Sequence, residues 1–314
     1  WQNRPKSGML VRYFKIFNRP ILDQIIRGRV GLSTRELFTL GLSFTGHFLE
    51  RFAYQYPGGV TVPGLNQDML IAFVKHFAAP LSTIRKLAVE TQLHNENYAY
   101  ALNPLKMYPL VHVGIEGRHN LIAPIPTHLF HRFTSGIYYE IYDAEGFSGA
   151  FGNSFQEYIG EVLNATVSKV PFEIFPERQY YVGKDRKDTV DWIVSDESGD
   201  LFVECKTKRL RFDSKIALTG SAALNDDIDK MANFVVQTYK AIIDANAGFY
   251  PQWRPSDKRI YPVIVTLEDW YIFSPDIVSR IDKRVKEKLA SLSVNLEILD
   301  KHPYTIASCG DFEL

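Results

Sequence analysis

Residues 190–210 read VDWIVSDESGDLFVECKTKRL, and the elements of the second half of the chain are arranged around them. Two apolar runs flank a polar turn with the sequence SDESGD, which predicts a β-hairpin. Gly199 in this turn is expected to take the positive φ that such loops often need. Both strands nevertheless carry charged residues, Asp191 in the first and Glu204 and Lys206 in the second. Burial of a charge without partners costs several kcal/mol, so these positions require compensation.

These three charged side chains are expected to meet. Because side chains alternate across a strand, Glu204 and Lys206 share one face, and Asp191 reaches that face from the paired strand. One interpretation is structural: a salt-bridged trio, or an edge strand whose polar face contacts water. The other is functional: a divalent cation held by Asp191, Glu204 and the carbonyl of Cys205, with Lys206 beside it.

The donor set of the functional interpretation favours Mg²⁺, with Mn²⁺ as a substitute. Mg²⁺ binds hard oxygen ligands, keeps several waters and normally takes only one or two carboxylates. Beside such a cation, Lys206 would orient an attacking water or stabilise charge on a phosphate in transfer. In this interpretation the hairpin predicts phosphodiester hydrolysis.

The second half of the chain alternates between helices and strands around this hairpin. Helical periodicity is present at 151–165, 226–245 and 277–292, and extended runs are present at 259–267 and 304–309. A further apolar stretch, VPFEIF, lies between the first helix and the hairpin. Strands interleaved with helices of this length predict an α/β fold with a mixed sheet flanked by helices.

The first half is predicted to be a mainly α-helical domain. Helices are expected at 33–53, 66–78 and 81–92, and the first has Ser33 as a cap with Glu36 in the capping-box position. Residues 104–149 are richer in proline, glycine and short aromatic runs such as FTSGIYYEIY, which we interpret as a connecting segment with some strand. The domains are therefore placed at 1–140 and 141–314.

The order helix, strand, strand with Asp, turn, strand with Glu-x-Lys, helix resembles the PD-(D/E)xK nuclease superfamily over residues 150–310 or thereabouts. Asp191 matches the first acid of its motif, Glu204 the second acid and Lys206 the lysine. Val190 stands where the name of the motif has proline. The resemblance implies a restriction-endonuclease-like core and a catalytic role for these three residues.

The helix before the hairpin, GNSFQEYIGEVL, resembles the glycine, phenylalanine and glutamate pattern that many members of this superfamily place before the core. In those members the glutamate assists the metal. Here Gln156 directly follows Phe155, and the acids come at Glu157 and Glu161, which share a helical face. The resemblance implies Glu157 as a further metal ligand, with Glu161 as the alternative; a solvated helix face explains both equally well.

A basic run follows the motif and is the predicted contact for the phosphate backbone of a nucleic acid. Its members are Lys208, Arg209, Arg211 and Lys215. Such contacts position a protein on its nucleic acid without reading the sequence. A solvated loop is the alternative interpretation.

The composition of the chain limits its possible partners and its location. Thirty-six basic and thirty-six acidic residues cancel, so any binding of nucleic acid depends on a local patch. Two cysteines are too few for a disulfide framework or a four-ligand zinc site, which favours a cytoplasmic location. No apolar run reaches the length that spans a bilayer, so no membrane partner is expected.

The leading hypothesis from the sequence is a metal-dependent phosphodiesterase, an endonuclease that acts on DNA in preference to RNA. The helical half would serve recognition, regulation or association with a protein partner or a second copy. Its fusion to such a core resembles prokaryotic antiphage defence nucleases. Two alternatives remain open: a non-catalytic scaffold that keeps the nuclease fold, and an RNA-directed or nucleotide-activated effector.

Overall fold

The structure of the protein, a computed structural model, describes residues 7–58, 62–94, 101–115, 118–167, 170–209, 222–270 and 275–313. It is a mixed α/β protein whose sheets are flanked by helices, as the sequence predicts. The chain divides into two compact units, Trp1–Ser154 and Phe155–Leu314. None of the helices in the described ranges is both long and apolar enough to cross a membrane.

The first unit is built largely from helices around an aromatic core. Its helices are α1 (Ser7–Phe17), α2 (Pro20–Val30), α3 (Thr34–Glu50), α4 (Gln67–Phe77), α5 (Leu81–Thr91), α6 (Pro104–Met107), α7 (Pro126–Phe133), α8 (Tyr138–Ile141) and the start of α9 (Phe147–Val167). The predicted capping box of α3 is present: Ser33 Oγ accepts from Glu36 N at 3.2 Å, and Glu36 Oε2 accepts from Ser33 N at 2.7 Å. The three helices predicted between residues 33 and 92 are confirmed to within a few residues.

This unit also contains a four-stranded sheet, and the strand expected within residues 104–149 is confirmed by two of its members, 110–115 and 118–122. Its strands are β1 (Ala53–Gln55), β2 (Ala78–Pro80), β3 (Leu110–Ile115) and β4 (Arg118–Ile122), in the order β1-β4-β3-β2. Strands β1 and β2 have only three residues each, too few for an alternating pattern to be visible. The run FTSGIYYEIY, interpreted as a connection with strand, is instead helical from Ser135 to Ile141.

The second unit is centred on a five-stranded mixed sheet. Its strands are β5 (Glu173–Pro176), β8 (Trp192–Ser195), β9 (Gly199–Lys206), β10 (Arg259–Thr266) and β11 (Thr305–Ser308), in the order β11-β10-β9-β8-β5. Pairs β5/β8 and β8/β9 are antiparallel, whereas β9/β10 and β10/β11 are parallel. A separate two-stranded ribbon, β6 (Gln179–Val182) with β7 (Asp185–Asp188), lies between β5 and β8 in the chain.

Helices cover both faces of this sheet. The helices of the unit are the remainder of α9, α10 (Ala222–Asn246), α11 (Pro275–Ser291), α12 (Glu297–Lys301) and α13 (Cys309–Phe312). Ile193 and Phe202, which are opposite one another in β8 and β9, pack in one core with Met231 of α10. Trp192 points to the other face, because neighbouring residues in a strand alternate, and its indole lies against Gly160 of α9.

The division between the units falls inside helix α9, beyond the boundary placed at residue 140 from sequence. The proline-rich sequence that suggested a linker ends before this helix. Phe147 and Phe151 in the first turns of the helix nevertheless pack with aromatic residues of the first unit, so the boundary lies further along the chain. The helix residues from Phe155 onward belong to the second unit and flank the hairpin of Asp191 and Glu204.

Candidate active site

The β8–β9 hairpin places Asp191 at the end of one strand beside the charged end of the next. Trp192 is opposite Val203 in the antiparallel ladder, so the following position sets Asp191 against Glu204. At this position the hydrogen bond between the strands involves a side chain: Asp191 Oδ2 accepts from the backbone N–H of Cys205 at 2.6 Å. The predicted approach of the Asp191 side chain to the second strand is therefore present.

The turn between these strands is organised by an aspartate and not by glycine conformation. Asp196 Oδ1 accepts from the backbone N–H of Ser198 at 2.7 Å and from that of Gly199 at 3.0 Å. Gly199 does not have the positive φ that we expected. It is required instead for close approach, because a Cβ there would lie 2.9 Å from the carbonyl oxygen of Arg259 in β10.

Glu204 and Lys206 share a face of β9 and form an ion pair. Lys206 Nζ donates to Glu204 Oε1 at 2.6 Å, and the two side chains are only 18% and 10% exposed, respectively. The ammonium group also lies 5.0 Å from the centre of the Phe234 ring of α10. Cation–π contact of this kind stabilises a partly desolvated lysine. Alternation along β9 and the compensation expected for a buried glutamate are both confirmed.

The surroundings of Asp191 change its pKa. Burial and the nearby charge of Glu204 raise the pKa of Asp191 to about 7, although the Cys205 N–H and the charge of Lys206 oppose that shift. The charge of Glu177 adds to the raised pKa. A carboxyl that titrates near neutral pH in a partly buried cluster is a common property of sites that bind cations or transfer protons.

Two residues beside this cluster were missed from sequence: Glu177 and Gln156. The backbone N–H of Glu177 donates to the Asp191 carbonyl at 2.9 Å, and Gln156 Nε2 donates to Glu177 Oε2 at 3.0 Å. The Gln156 carbonyl in turn accepts from Trp192 Nε1 at 3.0 Å. Gln156 occupies the helix position next to the expected glutamate, so the departure from the superfamily pattern at this residue was the available signal.

The two helix acids differ in exposure. Glu157, proposed from sequence as a metal ligand, is exposed on α9, whereas its alternative Glu161 is half-buried. Gln156 of the same helix contacts Glu177 and Trp192, the two residues that flank Asp191 in the sheet.

The basic run after β9 is described only in part. Arg209 forms an ion pair of 3.1 Å with Glu268, and its side chain is 9% exposed, so its guanidinium is turned into the protein. Lys208 is half-buried, and its carbonyl accepts from Trp270 Nε1 at 2.9 Å. Arg211 and Lys215 lie outside the described residues.

The donors at this site suit a small hard cation. Asp191 and Glu204 supply two carboxylates at one point, and carboxylate with carbonyl oxygen is the ligand chemistry of Mg²⁺ and Mn²⁺. Cys205, whose carbonyl is the third predicted ligand, contacts Asp191 through its backbone N–H and through its thiol. Within the described ranges, no three His, Cys, Asp or Glu side chains cluster in a geometry that would hold a metal ion. The site thus offers two acids and one lysine.

Comparison with protein-family models and with curated proteins finds no match to this chain.

Proposed function

We propose that the protein is a metal-dependent nuclease that hydrolyses phosphodiester bonds in DNA. The observation that carries the proposal is the convergence of Asp191, Glu204 and Lys206 at one end of the β8–β9 hairpin, with the pKa of Asp191 raised to about 7. A carboxyl kept near its titration point beside a second buried acid is more typical of a functional site than of a scaffold strand, which supports the proposal.

Each of the three residues has a defined task in this proposal. Asp191 and Glu204 would hold the cation, with Asp191 oriented by the Cys205 N–H. A divalent cation, when bound, would polarise the scissile phosphate and neutralise part of its charge. Lys206 would orient the attacking water or stabilise the charge that develops on the phosphate. Its contact with Phe234 restricts where the ammonium can lie.

One observation favours the scaffold as a second candidate. The 2.6 Å pair between Lys206 and Glu204 already compensates the buried glutamate without any metal. A paired strand of this type is stable by itself, so a protein that kept the fold and lost the chemistry would show the same contact.

A cleavage panel separates the candidates. Supercoiled plasmid, linear duplex, single-stranded DNA and RNA would each be incubated with the protein in Mg²⁺, in Mn²⁺ and in EDTA. We expect cleavage of DNA that requires the cation and is lost in Asp191→Asn, which keeps an oxygen to accept the Cys205 N–H. Absence of cation-dependent cleavage on all four substrates would favour the scaffold, and cleavage of RNA alone would reassign the substrate.

A further inference from the structure

The ribbon β6–β7 begins and ends beside the candidate active site. Its strands are joined by a two-residue turn, Gly183–Lys184, in which Gly183 has a φ of 62°. At its base, Arg178 N donates to Thr189 Oγ1 and Thr189 N donates to the Arg178 carbonyl, both at 2.9 Å. Asp191 follows Thr189 by two residues, so the base of the ribbon is fixed to the site.

The inner face of the ribbon is anchored to helix α10. Tyr180 is buried, and its hydroxyl donates to Asp244 Oδ2 at 2.8 Å. Lys187, opposite Tyr180 in the ladder, donates to the same oxygen at 2.7 Å. The Tyr180 ring also packs against Tyr250, whose hydroxyl accepts from Val190 N at 3.2 Å. These contacts hold the ribbon in one orientation relative to Asp191.

The outer face is exposed and carries an aromatic ring and a cation, and the turn beside it holds the exposed Lys184 next to the exposed Asp185. Tyr181 is 62% exposed and lies directly opposite Arg186, which is also exposed, and Lys184 is exposed in the turn. In the part of the chain that the structure describes, neither Arg186 nor Lys184 forms an ion pair. Many other cations of this unit do, including Arg280, Arg284, Lys288 and Lys187. The acid of the outer face, Asp188, lies at the base of the ribbon opposite Gln179.

We infer that the outer face of the β6–β7 ribbon contacts duplex DNA next to the scissile phosphate, an inference that rests on the proposed nuclease function. Two strands about 4.8 Å apart fit, with their side chains, the major groove, which is roughly 12 Å wide. Arg186 and Lys184 neutralise phosphates, and Tyr181 packs its ring on the sugar or on the base edges between them. This surface supplies exposed cations where Arg209 of the predicted basic run is instead paired with Glu268.

The test measures binding of a short labelled duplex by the full chain carrying Asp191→Asn, in EDTA, by fluorescence anisotropy over a series of NaCl concentrations. The ribbon variant adds Lys184→Ala with Arg186→Ala. The matched control adds Lys283→Ala with Lys286→Ala, which removes the same charge from exposed positions of α11.

We expect the ribbon variant to lose affinity at least tenfold relative to the control at low salt. Its plot of log K against log salt should be shallower by about 2, because two phosphate contacts are lost at roughly 0.9 each. Tyr181→Ala should weaken binding by about fivefold or more with an unchanged salt slope, since packing of an aromatic ring is not electrostatic.

The outcomes separate this inference from the proposed function. If wild type cleaves DNA but the ribbon and control variants bind alike, the interface is refuted and the nuclease stands. If the ribbon variant alone loses affinity and wild type cleaves nothing, the nuclease is refuted; the contact of the ribbon with duplex DNA stands, but its place beside a scissile phosphate does not. The same titration is repeated with one strand of the labelled duplex, and a loss of affinity confined to that single strand would contradict placement of the ribbon in a duplex groove.

Discussion

Lys206 Nζ lies 2.6 Å from Glu204 Oε1, while Asp191, opposite Glu204, accepts the backbone N–H of Cys205 at the same distance. The two acids of the site are therefore stabilised in different ways. Glu204 has a cation of its own, whereas Asp191 accepts a neutral N–H donor, and burial beside Glu204 raises its pKa because its carboxylate is the less stabilised of the two. One lysine serves two buried carboxyls, which is the arrangement that a divalent cation would complete.

Lys206→Ala should destabilise the protein that lacks a metal and should respond strongly to Mn²⁺. Removal of the amine leaves the Glu204 carboxylate, 10% exposed, without its partner, at a cost on the order of 3 kcal/mol. A bound cation would replace the missing positive charge, so thermal unfolding should show a larger Mn²⁺-induced rise in Tm than in wild type. Turnover should fall roughly 10²-fold even with the metal bound.

Lys208→Ala is the matched control, because it removes a half-buried lysine two residues further along without touching Glu204. It should leave both Tm and the Mn²⁺ response close to wild type. A Lys206→Ala protein with a low Tm that Mn²⁺ does not raise would mean that the pair with Glu204 is purely structural.

Asp191→Asn should stabilise the protein lacking a metal above neutral pH. The folded-state pKa of Asp191, about 7, lies above its value in the unfolded chain, so its contribution is favourable below about pH 4 and is lost as pH rises through 7. Three pKa units correspond to roughly 4 kcal/mol, an upper limit for the gain of the variant at pH 8. Urea unfolding of both proteins between pH 4 and 8 measures it, and a difference that does not change with pH would contradict the raised pKa.

Glu177→Gln should lower the pKa of Asp191. The charge of Glu177 is among the causes that raise it, and glutamine removes that charge while keeping a side-chain oxygen for Gln156. The titration of Asp191 can be followed by carboxyl ¹³C chemical shifts, with Glu173→Gln at the exposed start of β5 as the control. An Asp191 titration identical in Glu177→Gln and wild type would remove Glu177 from the electrostatics of the site.

Gly160→Ala should destabilise the second unit and disturb the hairpin. A Cβ at this position would lie 2.2 Å from the Trp192 ring, so the indole that is hydrogen-bonded to Gln156 must shift. Overpacking of this kind typically costs about 1–3 kcal/mol. Gly152→Ala in the same helix meets nothing within 4 Å and should be neutral or stabilising by up to about 1 kcal/mol. Equal Tm values for the two variants, measured by circular dichroism, would contradict the contact.

The core of the second unit was readable from sequence because its elements are long and periodic. Alternation of apolar and polar residues predicts the hairpin around SDESGD and the shared face of Glu204 and Lys206. Helical spacing predicts α10 and α11. The features that the sequence did not predict are short elements or contacts between residues far apart in the chain. The ribbon β6–β7 carries charges on exposed positions and resembles a loop, and Glu177 reaches Asp191 only through the pairing of β5 with β8.

The function of single residues was harder to predict than their placement. Gly199 was assigned to turn conformation, although it serves close packing against Arg259 in β10, a strand sixty residues later in the chain. The phosphate contact predicted for Arg209 from its neighbours in sequence stays a prediction, and the structure pairs this residue with Glu268, which local sequence did not indicate. The partners of both residues lie in β10 or in the segment after it. No local sequence pattern specifies that β10 pairs with β9, so these contacts could not be predicted.

The most direct test of the central claim is plasmid cleavage at pH 8, where Asp191 is ionised, by wild type beside Glu204→Gln. The nuclease account predicts that wild type nicks or linearises supercoiled DNA in Mg²⁺ and not in EDTA. Glu204→Gln, which stays folded because glutamine still accepts from Lys206, should be slower by roughly 10²-fold or more. Cleavage at equal rates by the two proteins, or by neither, would contradict it.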